Sequence, residues 1–344
     1  MAEAAHTPGR TARTRTLSDI FKIEGVAIAL VFILLVVIFM ITAPRAFMGY
    51  RVYMSFMATV PPPMVIALGL TLVAVAGEID LSFPSVVAFA SYVFCILYID
   101  YDMTWLALLA ATAVGTAMGF INGLVVTKLG IPSLIATLGM LFLWGGLVTV
   151  VSNGASLAIP DIQGTLFHTI FAGRLGVFPV QILWALLTAV LIWIVLNRHR
   201  FGESLLFIGD SKAVARVVGI ATEREKVKLF TLMGAMSAFA GVLLTLETTT
   251  YFANAGMGYL LIVVAAVFIG GTSIFGGSGK VVGTVFGSLI VAIIEAGLVA
   301  SGVQGFWTRF FIGLVFIVSV TLNAAIEDPD KVPLLKQLRS RAKK

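Results

Sequence analysis

The sequence predicts an all-α, polytopic membrane protein with about ten transmembrane helices. Three observations carry that prediction. Apolar runs close to the ~20 residues that a spanning helix needs recur between residues 26 and 323, with short polar breaks. Only 12% of the 344 residues are charged, where a soluble domain carries about 25%, and mean hydropathy is +1.05. The lysines and arginines, finally, sort to one side of the runs as a membrane topology requires. These properties exclude a soluble enzyme with a membrane tail.

In chain order the runs are 26–43, 52–76, 83–99, 104–127, 132–151, 178–196, 229–249, 258–270, 281–300 and 307–323. The first follows a basic flank of Arg10, Arg13, Arg15 and Lys22, and it is longer than a signal-peptide core. No small-x-small cleavage site ends it, so it is expected to stay as a helix. The second contains Pro61, Pro62 and Pro63, which lack amide donors and should break or bend it. Irregular backbone at membrane depth survives only against protein or a wet cavity, which places this span in the bundle interior.

Charge fixes the orientation. With ten spans and a cytoplasmic N-terminus, only Arg45, Arg51, Arg174 and Arg309 of the 23 basic residues fall on the outer side. The expected organisation is a cytoplasmic segment 1–25, a membrane domain 26–325 and a basic cytoplasmic tail 326–344. Within the domain, residues 197–228 form a long cytoplasmic loop. Asp210 is expected to cap a short helix over 211–218 that ends at Gly219. Thr222-Glu223-Arg224-Glu225 has capping-box spacing and should start the next helix.

Gly115, Gly119 and Gly123 in the fourth run are spaced like Gly279, Gly283 and Gly287 around the start of the ninth. The two runs point in opposite directions, as an inverted repeat of spans two to five and seven to ten requires. Small residues at every fourth position are equally a general device for close helix packing in membranes.

Chemistry-bearing residues are few. Cys95 sits in an apolar run and reads as packing, while His6, His168 and His199 lie too far apart for a ligand-spaced pair. No metal site and no catalytic cluster of nucleophile, acid and base is expected. Charged groups inside spans usually face an interior, so Glu247 and Glu295, with Asn122, are candidates to line a pathway, and Glu295 equally suits an acid near the outer surface that meets water. Asn122 equally suits a hydrogen bond between helices. Glu78 and Asp80, at a span boundary, suit hydrogen bonds to nearby amides more than solute contact. The five tryptophans read as interface anchors.

Three strings stand out. The first is Gly77-Glu78-Ile79-Asp80-Leu81-Ser82. The second is Arg200-Phe201-Gly202 followed by Ile208-Gly209-Asp210-Ser211-Lys212-Ala213-Val214-Ala215-Arg216-Val217-Val218-Gly219-Ile220. The third is Gly270-Gly271-Thr272-Ser273-Ile274-Phe275-Gly276-Gly277-Ser278-Gly279-Lys280. In order and spacing they resemble the permease family of ribose-type monosaccharide ABC importers over residues 61–321.

That resemblance implies a permease related in fold to the vitamin B12 type of importer, working in the bacterial inner membrane as a dimer of permeases. It implies as partners a cytoplasmic ABC ATPase and a periplasmic sugar-binding protein. ATP and Mg would be bound by the ATPase, with no cofactor on this chain. Gly209, Asp210, Ser211, Lys212, Ala213, Ala215, Arg216 and Gly219 would form the element that docks into the ATPase. Gly77, Glu78, Asp80, Ser82, Gly270, Gly271, Thr272, Gly276 and Gly277 would be structural. Ser278-Gly279-Lys280-Val281 does not make a phosphate loop, because Val281 stands where Ser or Thr must reach magnesium. The rival reading is a secondary transporter working without an ATPase.

Overall fold

The computed structural model describes residues 25–327. The N-terminal basic flank and nearly all of the basic tail lie outside the described residues. The first helix, α1 (Val26–Thr42), is followed by a short α2 (Pro44–Phe47), α3 (Tyr50–Thr59) and α4 (Pro61–Val75). Helices α3 and α4 meet at 52°. Pro61, Pro62 and Pro63 start α4, where a missing amide donor removes no helical bond, so the break falls just before them at Val60. Every residue of α4 is buried, which is the interior position its broken backbone requires.

Three long helices follow: α5 (Phe83–Tyr101), α6 (Thr104–Lys128) and α7 (Ser133–Val151). The segment after α7 holds β1 (Leu157–Ala158), α8 (Leu166–Phe171) and a hairpin of β2 (Arg174–Leu175) and β3 (Phe178–Pro179). Next come α9 (Gln181–Arg198), α10 (Arg200–Asp210), α11 (Lys212–Val217) and α12 (Thr222–Thr248). Beyond α12, β4 (Thr250–Tyr251) pairs antiparallel with β1. Helices α13 (Tyr259–Ile269), α14 (Val281–Ala300) and α15 (Thr308–Glu327) complete the described chain.

Seven of the described helices are long and apolar enough to cross a bilayer, and α3 with α4 as one bent span makes eight. The apolar helices α1 and α13 are shorter. The two ends of the bundle differ in charge. Lys128, Lys212, Lys226 and Lys280 mark a basic end, and the β1–β4 pair lies at the other.

The core forms where backbones touch. A Cβ on Gly119 would lie 2.2 Å from the Phe230 carbonyl oxygen, and one on Gly234 would lie 2.2 Å from that of Gly115. Helices α6 and α12 therefore pack main chain against main chain, which replaces the hydrophobic drive that lipid cannot supply. Helices α13 and α14 repeat the device, with Gly283 against Gly270 and Gly287 against Ala266. Between α4 and α14 the buried Thr71 and Thr284 hydroxyls share a hydrogen bond of 2.7 Å.

At the far end an aromatic cluster closes the space between helices. Phe171 stacks on Trp184 with centroids 4.8 Å apart, and Phe167 packs edge-on against Trp105 at 5.0 Å. The Trp184 indole also donates to the Ile170 carbonyl at 2.9 Å. Trp105 and Trp184 are thus members of a packed cluster, with Trp105 still 54% exposed. Cys95 is buried, as its apolar run predicts.

Candidate functional site

The three strings that stand apart in the sequence meet at the basic end. Helix α4 stops at Val75, and Gly77 (φ +70°) turns the chain aside, a left-handed conformation that suits glycine. The Val75 carbonyl accepts a hydrogen bond of 2.8 Å from the Gly277 amide. Gly209, near the end of α10, sits in the same spot: a Cβ there would lie 1.9 Å from the Val75 oxygen and 2.4 Å from the Gly277 nitrogen. Gly276 (φ +88°) lies against Gly77 and Gly209 in turn. The junction is backbone wedged on backbone, with no side chain to yield.

Glu78 ties the first two strings to α12 electrostatically. Its carboxylate is 5% exposed, and one oxygen, Oε1, lies 3.0 Å from Lys212 Nζ and also accepts a hydrogen bond from Lys226 Nζ. Burial alone would raise its pKa. Hydrogen bonds from Lys226, Ser133 and Lys212 outweigh burial and hold the carboxyl below its ordinary value. The adjoining loop is pinned to α7, because the Ile79 amide donates to Ser133 Oγ (3.1 Å) and the Leu81 amide to Thr137 Oγ1 (3.0 Å). Asp80 accepts from the Ser82 amide (2.8 Å) and hydroxyl (2.6 Å). Burial nonetheless pushes the Asp80 carboxyl above its usual range.

Asn122 belongs to this scaffold. It donates to Ser82 Oγ at 2.7 Å and accepts from the Trp144 indole at 3.0 Å, and it is buried. The structure therefore places this pathway candidate in a hydrogen-bonded tie between α5, α6 and α7.

Helix α11 projects beyond the junction. Ser211 caps it by accepting from the Val214 amide, so the cap is not Asp210. The reason is α10, unforeseen in the sequence, which runs through Asp210 as its last residue. The capping box is likewise not formed: Ala221 stands at the N-cap of α12, Thr222 is already helical, and Glu225 pairs with Lys228 at 2.7 Å. Gly219 closes the turn at φ +87° as expected. Ala215 packs inward, while Ala213, Val214 and Val218 are exposed and Val217 is 87% exposed. Arg216 braces α11 against α12 through Glu223 and Thr222.

In the third string, Gly271 (φ +84°) turns the chain out of α13, and Thr272 Oγ1 accepts from the Lys280 amide at 3.4 Å. Glu247 and Glu295 lie elsewhere, each on the wall of a cavity near the α3–α4 break. Among the described residues, no group of His, Cys, Asp or Glu is placed to hold a metal ion.

The profile of the family described as "Branched-chain amino acid transport system / permease component" matches residues 52–320. The chain belongs to this family. The permease is 33% identical over 261 residues to the ribose import permease protein RbsC of Bacillus subtilis (strain 168), covering 75% of this chain and 80% of that one. It is 30% identical over 258 residues to the L-arabinose transport system permease protein AraH of Escherichia coli (strain K12), covering 75% and 78%. Against the fructose import permease protein FrcC of Rhizobium meliloti the permease is 29% identical over 301 residues, with 84% of each chain covered. No solved structure matches the permease. It is a multi-pass membrane component of a transport system, similar to transport permeases rather than to enzymes.

Proposed function

We propose that this permease carries a simple sugar, a monosaccharide or related polyol, across the bacterial inner membrane, driven by ATP hydrolysis on a separate ABC ATPase. The observation that carries this reading is the junction at the basic end. There the end of α10 is wedged by backbone contacts against the turns that end α4 and follow α13, and it leads through Ser211 into α11, a short helix with a bare apolar face. A push on α11 reaches both halves of the bundle without passing through soft side chains. Force delivered there is suited to rocking the halves between outward and inward states.

The relatives named for ribose, arabinose and fructose import support the substrate class. The finer architecture belongs to the same proposal. Counting α1, α13 and the bent pair as spans makes ten, in a permease of the vitamin B12 type, with spans two to five and seven to ten as an inverted repeat. The basic end then faces the cytoplasm together with both termini. The working assembly holds two permeases, the ATPase carrying ATP and Mg, and a periplasmic sugar-binding protein. In this reading Gly209, Asp210, Ser211, Lys212, Ala213, Ala215, Arg216 and Gly219 shape and present the docking helix.

Reconstitution tests it. The permease with its ATPase and binding protein in liposomes is expected to accumulate a labelled monosaccharide only with ATP, and the permease alone is expected to accumulate none. Concentrative uptake by the permease alone would instead establish a secondary transporter. A second expectation concerns the docking helix. Gly219→Val forces a β-branched residue into a left-handed turn, and Lys212→Glu with Arg216→Glu removes both braces of α11. Each is expected to lower the sugar moved per ATP hydrolysed by about tenfold or more, with membrane insertion intact. Normal uptake and normal ATPase association in these variants would remove the coupling assignment.

A further inference from the structure

Two cavities adjoin at the break between α3 and α4. The larger, about 670 Å³, is lined by Glu295 of α14, Arg309 of α15 and Tyr259 of α13. The smaller, about 420 Å³, is lined by Arg51 of α3, Arg174 of β2 and Glu247 near the end of α12. Thr59, the last residue of α3, lines both.

The choice of residues is what matters. Glu247 and Glu295 are the two acids set inside apolar runs, and both are at these walls. Of the four arginines left on the outer side by the charge asymmetry, three are here as well: Arg51, Arg174 and Arg309. Ionised groups in spans are costly, and basic residues on the outer side run against the topology signal. Gathering both kinds around one hollow makes sense when the hollow must handle a polar solute.

The charges do not close contact pairs with one another, although Arg174 lies near enough to Glu247 to interact with it electrostatically. Among the described residues, neither Glu247 nor Glu295 closes an ion pair, and none of the three arginines does so. Each cavity thus holds a carboxylate, which only accepts hydrogen bonds, and a guanidinium, which only donates. A hydroxyl does both. Walls of one sign would select an ion, whereas walls of both signs suit a solute without net charge, and the relatives named for ribose, arabinose and fructose import favour one rich in hydroxyls.

We propose that the two cavities form one outward vestibule that binds a neutral polyhydroxyl solute, with Glu295 and Glu247 accepting from its hydroxyls and Arg309 and Arg174 donating to its oxygens. Thr59 stands at the passage between the two compartments, so a change in the α3–α4 angle opens or narrows that passage. This deepens the sugar-import reading and rests on it.

The test uses the full permease with its ATPase and binding protein in liposomes, with labelled ribose, L-arabinose and fructose as probes. If the wild type takes up none of them with ATP, the underlying import reading fails, and the vestibule with it. If it does, Glu295→Gln, Arg309→Gln, Glu247→Gln and Arg174→Gln are each expected to cut uptake about tenfold. Each variant should still assemble with the ATPase and the binding protein, and Arg309→Lys should recover part of the loss. Thr59→Cys is expected to react with a membrane-impermeant maleimide from the outer side and to lose uptake when labelled, while the buried Cys95 of the wild type stays inert. Wild-type uptake in all four glutamine variants would overturn the proposal, as would labelling of Thr59→Cys that leaves uptake intact. Loss of uptake only alongside loss of assembly would assign these side chains a structural role and overturn it too.

Discussion

Gly209→Ala is expected to abolish ATP-driven uptake while the membrane bundle still inserts and folds. A Cβ at this position would stand 1.9 Å from the Val75 carbonyl oxygen and 2.4 Å from the Gly277 nitrogen. Both neighbours are main chain, so neither can rotate away, and the end of α4 must part from the Gly276–Gly277 turn by about an ångström. Overpacking of this kind costs roughly 3 kcal/mol, which lowers the population of the closed junction about a hundredfold. Gly146→Ala is the matched control, because nothing lies within 4 Å of a Cβ built there. Uptake by the two variants, measured at equal amounts of membrane-inserted protein, decides the matter. Equal rates would mean that the junction carries no force.

Glu78→Gln should be nearly as damaging, for an electrostatic reason. It leaves Lys212 and Lys226 converging on a neutral amide in a pocket where Glu78 is 5% exposed. Removing one partner of a buried ion pair costs about 3–5 kcal/mol, and the lower end applies because Lys212 is half in water. Removing the second charge as well, in Glu78→Gln with Lys226→Met, should restore much of the lost stability, which a purely steric role for Glu78 would not allow. The pH dependence follows from the sign of the shift. A carboxyl held below its ordinary 4.5 stabilises the folded state fully above that value and loses the contribution as pH falls through the lowered one. The difference in melting temperature between wild type and Glu78→Gln in detergent should therefore stay constant from neutral pH down to 4.5 and shrink below it. Identical profiles would show that the lysines do not depend on the carboxylate.

What could be read beforehand was whatever depends on neighbours in sequence. Pro61, Pro62 and Pro63 announce a broken helix because the missing amide is a property of the residue itself, and the break lies where they put it. Gly219 announces a left-handed turn for the same kind of reason. The cap of α11 was missed by one residue because Asp210 and Ser211 are both good caps, and only the length of α10 decides between them. The role of Glu78 was out of reach: Lys226 lies 148 residues away in sequence, and nothing local tells a pinned loop acid from a bridging one. The clash-free fit of Gly209 against Val75 and Gly277 is equally non-local. Glu295 looked solitary because no basic residue lies within a helical turn of it, yet Arg309 from the next helix shares its cavity.

The bare tip of α11 bears on the fate of the chain before assembly. Val214, Val217 and Val218 are exposed, at the place where the proposed ATPase would cover them. In that reading, a permease made without its partner would display an apolar surface of the kind that chaperones and proteases act on. The same three valines that would receive the power stroke would then also report whether a motor is present, tying the lifetime of each copy to the supply of its companion.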